Sequence, residues 1–224
     1  IGRIAMDKAS LEQFETLCVT IYTSPNAKDR SDAQQAVLCL QSRAEHIVQC
    51  HHILDNSTNP YALVVAATSM LKLVTSHWNS FTEAQRYDIR NYVLSYLISN
   101  GPSIKDFVTK ALIQLVCRIT KLAWFDDTRH QAFTEEVTKF LQAKVTHCII
   151  GLQILSQLVT ELNTPVSGRT LTAHRKTAVS FRDKSLFHVF QLSLTTLHQL
   201  QEGKIAAQPD TSLLPRLAKQ ALQL

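Results

Sequence analysis

Glycine and proline are scarce. Five glycines and six prolines stand in 224 residues, where an average protein devotes roughly 12% of its chain to the two. A β-sandwich of this length needs many more turn formers, so the composition argues for an all-helical protein. Runs of alternating apolar and polar residues are also missing. Blocks of like charge are absent, which excludes an acidic or basic tail. The net charge of +5 permits an anionic partner without demanding one. The five cysteines, at 18, 39, 50, 117 and 148, form an odd set with no CxxC spacing. They read as free, mostly buried thiols in a reducing compartment.

Chemistry-bearing motifs are absent as well. There is no nucleophile elbow, Walker loop, dinucleotide fingerprint or zinc-protease motif. No enzymatic role, catalytic residue, cofactor or metal is therefore expected. Ile1 to Met6 has no long apolar core behind it, so no signal peptide is read, and Met6 reads as a natural start. The most apolar run, Val145 to Val159, carries His147, Gln153, Ser156 and Gln157. It reads as too short and too polar to span a bilayer, so no membrane insertion is expected.

Helical periodicity fills the space these absences leave. Leu63, Ala67, Met70, Val74 and Trp78 step by four, three, four and four. Ile89, Tyr92, Val93, Tyr96 and Leu97 share a face, and Ile104, Val108, Ala111, Leu115, Ile119 and Leu122 repeat the pattern. That 3.6-residue period predicts three amphipathic helices. Asn59-Pro60 opens the first, Thr82 with Gln85 caps the second, and Gly101-Pro102 ends it.

Around these three the same signs predict further helices. Ser10 and Gln13 form a capping box for one over Leu11 to Tyr22. Pro25 to Arg30 reads as a turn before a helix from Ser31, with Ala33, Ala36, Val37 and Leu40 inward. Another covers Ala44 to Asp55. Asp126 to His130 reads as a polar turn, followed by helices over Gln131–Ala143 and Val145–Leu162. A loop spans Asn163 to Thr172. A long helix covers His174 to Gln201, bent near Asp183, with Phe187, Phe190, Leu194 and Leu197 on its buried face. Glu202 to Thr211 is a linker, and Leu213 to Leu224 starts one more helix.

The helices come in pairs whose second members centre near residues 37, 70, 113 and 153, a spacing of about 40 residues that marks HEAT or armadillo arrays. A two-helix unit cannot bury its own apolar face and stacks on its neighbours. The predicted fold is all-α: a right-handed α-α superhelix of HEAT/armadillo-like helix pairs, with second helices lining the concave side. Residues 1–10 read as an extension, 11–128 and 129–201 as two sets of repeats, and 202–224 as a linker with the start of a further repeat. The apolar residues Leu213, Leu214, Leu217, Ala218, Ala221 and Leu222 lack the polar face of a terminal cap. They point to a longer array.

Three clusters carry candidate chemistry. His46, Cys50, His51 and His52 could supply two metal ligands from one helix face. Zinc needs a third and usually a fourth, so a buried thiol beside solvated imidazoles is the favoured reading. Gly168 to Lys184 is locally basic through Arg169, Arg175, Lys176, Arg182 and Lys184. It lacks the interleaved aromatics that stack on bases, and no direct nucleic-acid binding is expected. Polar stripes run along the second helices: Thr68, Lys72, Thr75 and Asn79 on one, Lys110, Gln114, Cys117, Arg118 and Lys121 on another. Stacked side by side, such stripes would form a basic groove for an acidic or mixed protein surface.

The segments ALVVAATSMLKLVTSHW, QRYDIRNYVLSYL, FVTKALIQLVCRITKLAWFD, EHIVQC, VTHCIIGLQILSQL and HRKTAVSFRDKSLF resemble the importin-beta (karyopherin) superfamily, and within it the exportins, from about Leu11 to Leu200. The resemblance implies a nuclear transport receptor that shuttles between nucleus and cytoplasm. It implies three partners: Ran in its GTP form, protein cargo and phenylalanine-glycine nucleoporins. Stripe geometry then nominates Gln34, Gln41, Lys72, Lys110, Gln114, Arg118 and Lys121 as Ran contacts, with Trp78 and Trp124 as packing anchors. Periodicity alone supports an alternative, a HEAT-repeat interaction scaffold unrelated to Ran, because fold does not dictate function.

Overall fold

The computed structural model describes residues 6–205 and 213–224. The extension read over residues 1–10 and the linker read over 202–211 lie partly outside these. Among the described residues every regular element is helical and none is a strand. The chain divides into two compact units, one of residues up to Gln85 with Ile104–Leu115, the other of Arg86–Ser103 with Val116–Leu224.

In the first unit α1 (Lys8–Thr23) packs on α2 (Ala27–Leu38), α3 (Ile47–Asn56) packs on α4 (Pro60–Ser76), and α1 also meets α4. Short connections make each pair antiparallel. The start signals differ from those expected. Asp7, not Ser10, caps α1, its Oδ1 accepting from the Ser10 amide at 2.8 Å. A carboxylate at that end also suits the positive pole of the helix. Asn26 caps α2 through the Lys28 amide at 2.9 Å, so this helix begins before Ser31. Ala33, Val37 and Leu40 are buried as expected, while Ala36 and Cys39 are exposed. A 3-10 turn, Ala44–His46, precedes α3, which buries Cys50, Ile53 and Leu54.

α4 is the most deeply buried helix of this unit. Asn59 accepts from the Tyr61 and Ala62 amides, and Pro60, which has no N–H to satisfy, occupies the first turn. Leu63, Ala67, Met70, Val74 and the following Trp78 are all buried. Each large aliphatic side chain withdrawn from water contributes roughly 1.5–3 kcal/mol. Ser57 Oγ donates to Glu15 at 2.5 Å, tying α1 to the loop before α4.

α5 (Glu83–Asn100) and α6 (Asp106–Leu122) contribute residues to both units. The Thr82–Gln85 capping box opens α5 as predicted, with reciprocal bonds of 2.9 and 3.2 Å. Val108, Leu115 and Ile119 of α6 are buried, and so are Leu112, Ile113 and Val116 beside them.

In the second unit the predicted turn at Asp126 to His130 is a helical turn instead, α7 (Thr128–Gln131), capped by Asp127. α8 (Phe133–Leu141) buries Phe133, Val137 and Phe140 against α9 (Val145–Asn163). Gly151 is the contact point. A Cβ there would lie 2.8 Å from Phe140 Cβ, so only glycine permits this approach. With 19 residues, α9 is longer than the apolar run that marks it. By length and composition alone it could cross a bilayer, which corrects the expectation that it is too short. In this fold its apolar residues face α8, α10 (Leu171–Phe181) and α12 (Leu213–Leu222).

The long helix expected from His174 starts at Leu171, because Thr170 caps it through the Ala173 amide at 3.2 Å. The bend expected near Asp183 is a π-helical turn over Arg182–Leu186. This wider turn shifts the phase of the helix beyond it, α11 (Phe187–Gln201), whose buried residues are Val189, Ser193 and Thr196. Phe187, Phe190 and Leu194, expected to be buried, are 69%, 53% and 50% exposed, and Leu197 is half-buried. Small Ser193 lets α12 come close, and its Oγ donates to Ala221 O at 2.6 Å. Gly203, at φ +67°, closes α11. Its amide reaches Leu200 O and the Lys204 amide reaches Gln199 O, the two bonds of a Schellman cap. Leu217 and Ala221 of α12 join Val145, Cys148, Ile149 and Leu152 in one core. Of the other terminal apolar residues, Leu213, Leu214 and Ala218 are half-buried and Leu222 stays exposed.

Candidate partner-binding surface

The nominated contacts fall into two sorts. In the first unit Gln34 on α2 and Lys72 on α4 stand out to solvent. Gln41 lies in a 3-10 turn after α2, and its Nε2 donates to Ser69 Oγ on α4 at 3.2 Å. Thr68 and Thr75 turn their hydroxyls back to Val64 O and Leu71 O, so they offer methyl groups more than donors. Lys110 on α6 is exposed and meets Asp106 one turn earlier at 2.9 Å. An i,i+4 pair of this kind contributes a few tenths of a kcal/mol, roughly, and is readily exchanged for a partner's carboxylate. Gln114 is half-buried.

In the second unit the stripe is engaged. Arg118 pairs with Glu161 of α9, whose side chain is 5% exposed. Lys121 is buried, and its ammonium donates to Glu161 O at 2.7 Å and to Thr164 O. These carbonyls close the C-terminal end of α9, where a cation offsets the negative pole of the helix. Burial pulls the Lys121 pKa down while the Glu161 carboxylate pulls it up. Cys117, read on the polar stripe, is fully buried instead. Its thiol donates to Ile154 O at 3.6 Å, and burial pushes its pKa well above the ordinary value.

Two further ion pairs escaped the sequence reading. Arg86 meets Asp126 at 2.6 Å. Arg90 is completely buried and grips both oxygens of Glu136 at 2.8 and 2.7 Å. The signal was present: Arg90 stands three, four and seven residues before Val93, Leu94 and Leu97, on the apolar stripe itself. Trp124 is buried as expected, with its indole N–H on Ser180 Oγ at 3.0 Å.

Two of the three clustered histidines meet ordinary partners, while the buried Nδ1 of His46 has no hydrogen-bond partner among the described residues. His51 faces Asp55 at 3.6 Å and His52 lies 3.3 Å from the Asn56 amide. Burial lifts the Cys50 thiol to about 12. No group of three or more His, Cys, Asp or Glu among the described residues is placed to hold a metal ion. The basic segment is partly neutralised. Arg182 pairs with Asp183, and Lys184 donates to Gln131 at 2.7 Å.

Residues 33–99, which run from α2 to the last turn of α5, match the family profile described as the importin-beta N-terminal domain. Exportin-7-A of Xenopus laevis is 42% identical over 194 residues, which is 85% of this chain and 18% of the relative. The chain belongs to the importin-beta superfamily. Ran-binding protein 17 of Homo sapiens is 41% identical over 201 residues, 88% of this chain and 18% of the relative. Ran-binding protein 16 of Drosophila melanogaster is 37% identical over 194 residues, 84% and 17%. The chain thus spans about a fifth of the length of the relatives it matches. Helix pairs of HEAT type and all-α content are what this family is built from.

Proposed function

We propose that this chain is part of a nuclear transport receptor of the exportin kind. The observation that carries the reading is 42% identity to an exportin across 85% of the chain, together with the importin-beta N-terminal domain at residues 33–99. In this reading the receptor does no chemistry. It binds Ran in its GTP form and protein cargo, contacts phenylalanine-glycine nucleoporins, and shuttles between nucleus and cytoplasm. Ran and cargo are then coupled ligands of one deformable helical scaffold, each raising the other's affinity by the same factor.

Ran meets the polar faces of the second helices, which the reading places on the concave side. Gln34, Lys72 and Lys110 are the contacts best placed to serve, because they are exposed. Gln41 and Gln114 flank them. Arg118 and Lys121 instead hold α6 to the end of α9. The repeats divide at residues 128 and 129, and 202–224 begins another.

The test is binding of Ran loaded with a non-hydrolysable GTP analogue or with GDP, by this chain and by the longest polypeptide that contains it. Strong preference for the GTP form is expected. Equal affinity for both forms, or none for either, rejects the proposal and leaves the nucleotide-independent scaffold.

A further inference from the structure

A cavity of about 280 Å³ opens in the second unit between the end of α6, the loop after it and the start of α10. It contains no exposed contact proposed for Ran. We propose that it is a recognition site for a phosphorylated side chain of a peptide.

The charge around the cavity is one-sided. Lys121, Arg169 and Lys176 line it, against a single carboxylate, Asp126, and that carboxylate already serves Arg86 at 2.6 Å. Lys121 forms the floor. It is 6% exposed, and its ammonium spends two bonds on Glu161 O and Thr164 O. An ammonium has three protons, so one remains for a ligand. His174 lines the wall. Its Nδ1 is buried and has no hydrogen-bond partner among the described residues. Burial, with Lys121 and Arg175 nearby, holds its pKa below the ordinary value. An anion seated here would reverse that and give the imidazole a partner. The cavity also lies at the first turns of α10, the positive pole of an eleven-residue helix.

Phosphate fits this set better than a carboxylate does. A dianion with three acceptor oxygens answers an arginine fork, an ammonium and an imidazole together, each through a charge-assisted bond. Peptide origin is argued from the rim. Leu122, Phe125 and Val166 supply apolar walls, and Phe125 is 48% exposed. Lys176 lies over its ring at 4.6 Å. A free anion has no use for such walls, whereas the residues beside a phosphoserine do.

The experiment uses the whole chain and a fluorescent five-residue phosphoserine peptide with leucine on either side. The unphosphorylated peptide, inorganic phosphate and a short single-stranded RNA are run in parallel. Binding is read by anisotropy and by amide shifts in α10. Saturable phosphopeptide binding is expected, at least roughly tenfold tighter than for the other three probes and weakening with salt. Lys176→Glu and Arg169→Glu, both on the surface, should each weaken it about tenfold or more without changing the circular dichroism. Lys121→Met tests the floor; should it fail to fold, the two surface variants decide alone. Absence of phosphopeptide binding overturns the proposal. So does indifference to both charge reversals, or phosphate or RNA binding as tightly as the peptide.

Discussion

Glu136→Leu should be among the most damaging substitutions on the surface of this chain. Glu136 is 28% exposed, but the guanidinium it holds is 0% exposed. Arg90 gives both carboxylate oxygens a bond, at 2.8 and 2.7 Å. It also reaches Asn91 Oδ1 at 3.0 Å and Arg129 O at 3.4 Å. The rings of Tyr87 and Phe133 lie 5.0 and 5.2 Å away. Arginine cannot shed its proton, so loss of the carboxylate leaves a buried, uncompensated charge. Breaking such a pair from one side costs about 3–5 kcal/mol. The remaining acceptors and ring faces place this case near 3 kcal/mol, roughly. For a chain of this size that is a fall of about 6–12 °C in Tm. Arg90→Met should cost less, because Glu136 can turn to water. The double variant should return most of the loss, since an apolar pair needs no compensation. Urea unfolding of the four proteins, followed by circular dichroism, closes the cycle. A loss under about 1 kcal/mol for Glu136→Leu, or simple additivity of the two single changes, would refute the reasoning.

Acidification should destabilise the fold between pH 6.5 and 4. Burial, and then the Arg90 charge, lower His130 from 6.5 to about 4. In that window the unfolded chain binds the proton and the folded one does not, so stability present at pH 7 is lost as pH falls, by up to about 3 kcal/mol. His130→Phe should flatten the Tm profile there; an unchanged slope contradicts the assignment. Gly151→Ala gains about 1 kcal/mol in helix propensity but forces α8 from α9 at Phe140, for a net loss of about 1–2 kcal/mol, measurable by thermal melting. Asn59→Ala removes the cap of α4 and should cost about 1 kcal/mol in urea titration. Lys72→Glu with Lys110→Glu, which turns the Lys110–Asp106 pair into a like-charge one, should lower Tm by no more than about 4 °C and weaken Ran-GTP binding tenfold or more, roughly; undiminished binding would move the contact elsewhere.

Much of the architecture was readable from residues alone because helix periodicity is local. The faces of α4, α6 and α8 are set by side-chain spacing, and Asn59-Pro60 and the Thr82–Gln85 box act within one turn. The misplaced elements have identifiable causes. At Asp7 and Asn26 an equally good local signal lay a few residues earlier, and sequence could not rank the competing caps. In α11 the π turn at Arg182–Leu186 changed the phase, and Ser193 and Thr196 took the interior where Phe187 and Phe190 were expected.

The candidate surface divides along the same line. Which residues are cations is plain from the chain, but whether a cation faces a partner or its own neighbours depends on what packs beside it. Lys72 and Lys110 remain outside. Lys121 is drawn beneath the end of α9, about forty residues away in sequence, and Arg90 beneath Glu136. Helix, order and family are thus properties of short segments, set by bonds and side-chain spacing within a few turns. The burial of a charge, the exposed phenylalanines and the cation-lined cavity wait on contacts between distant segments, because solvation is decided by the assembled whole.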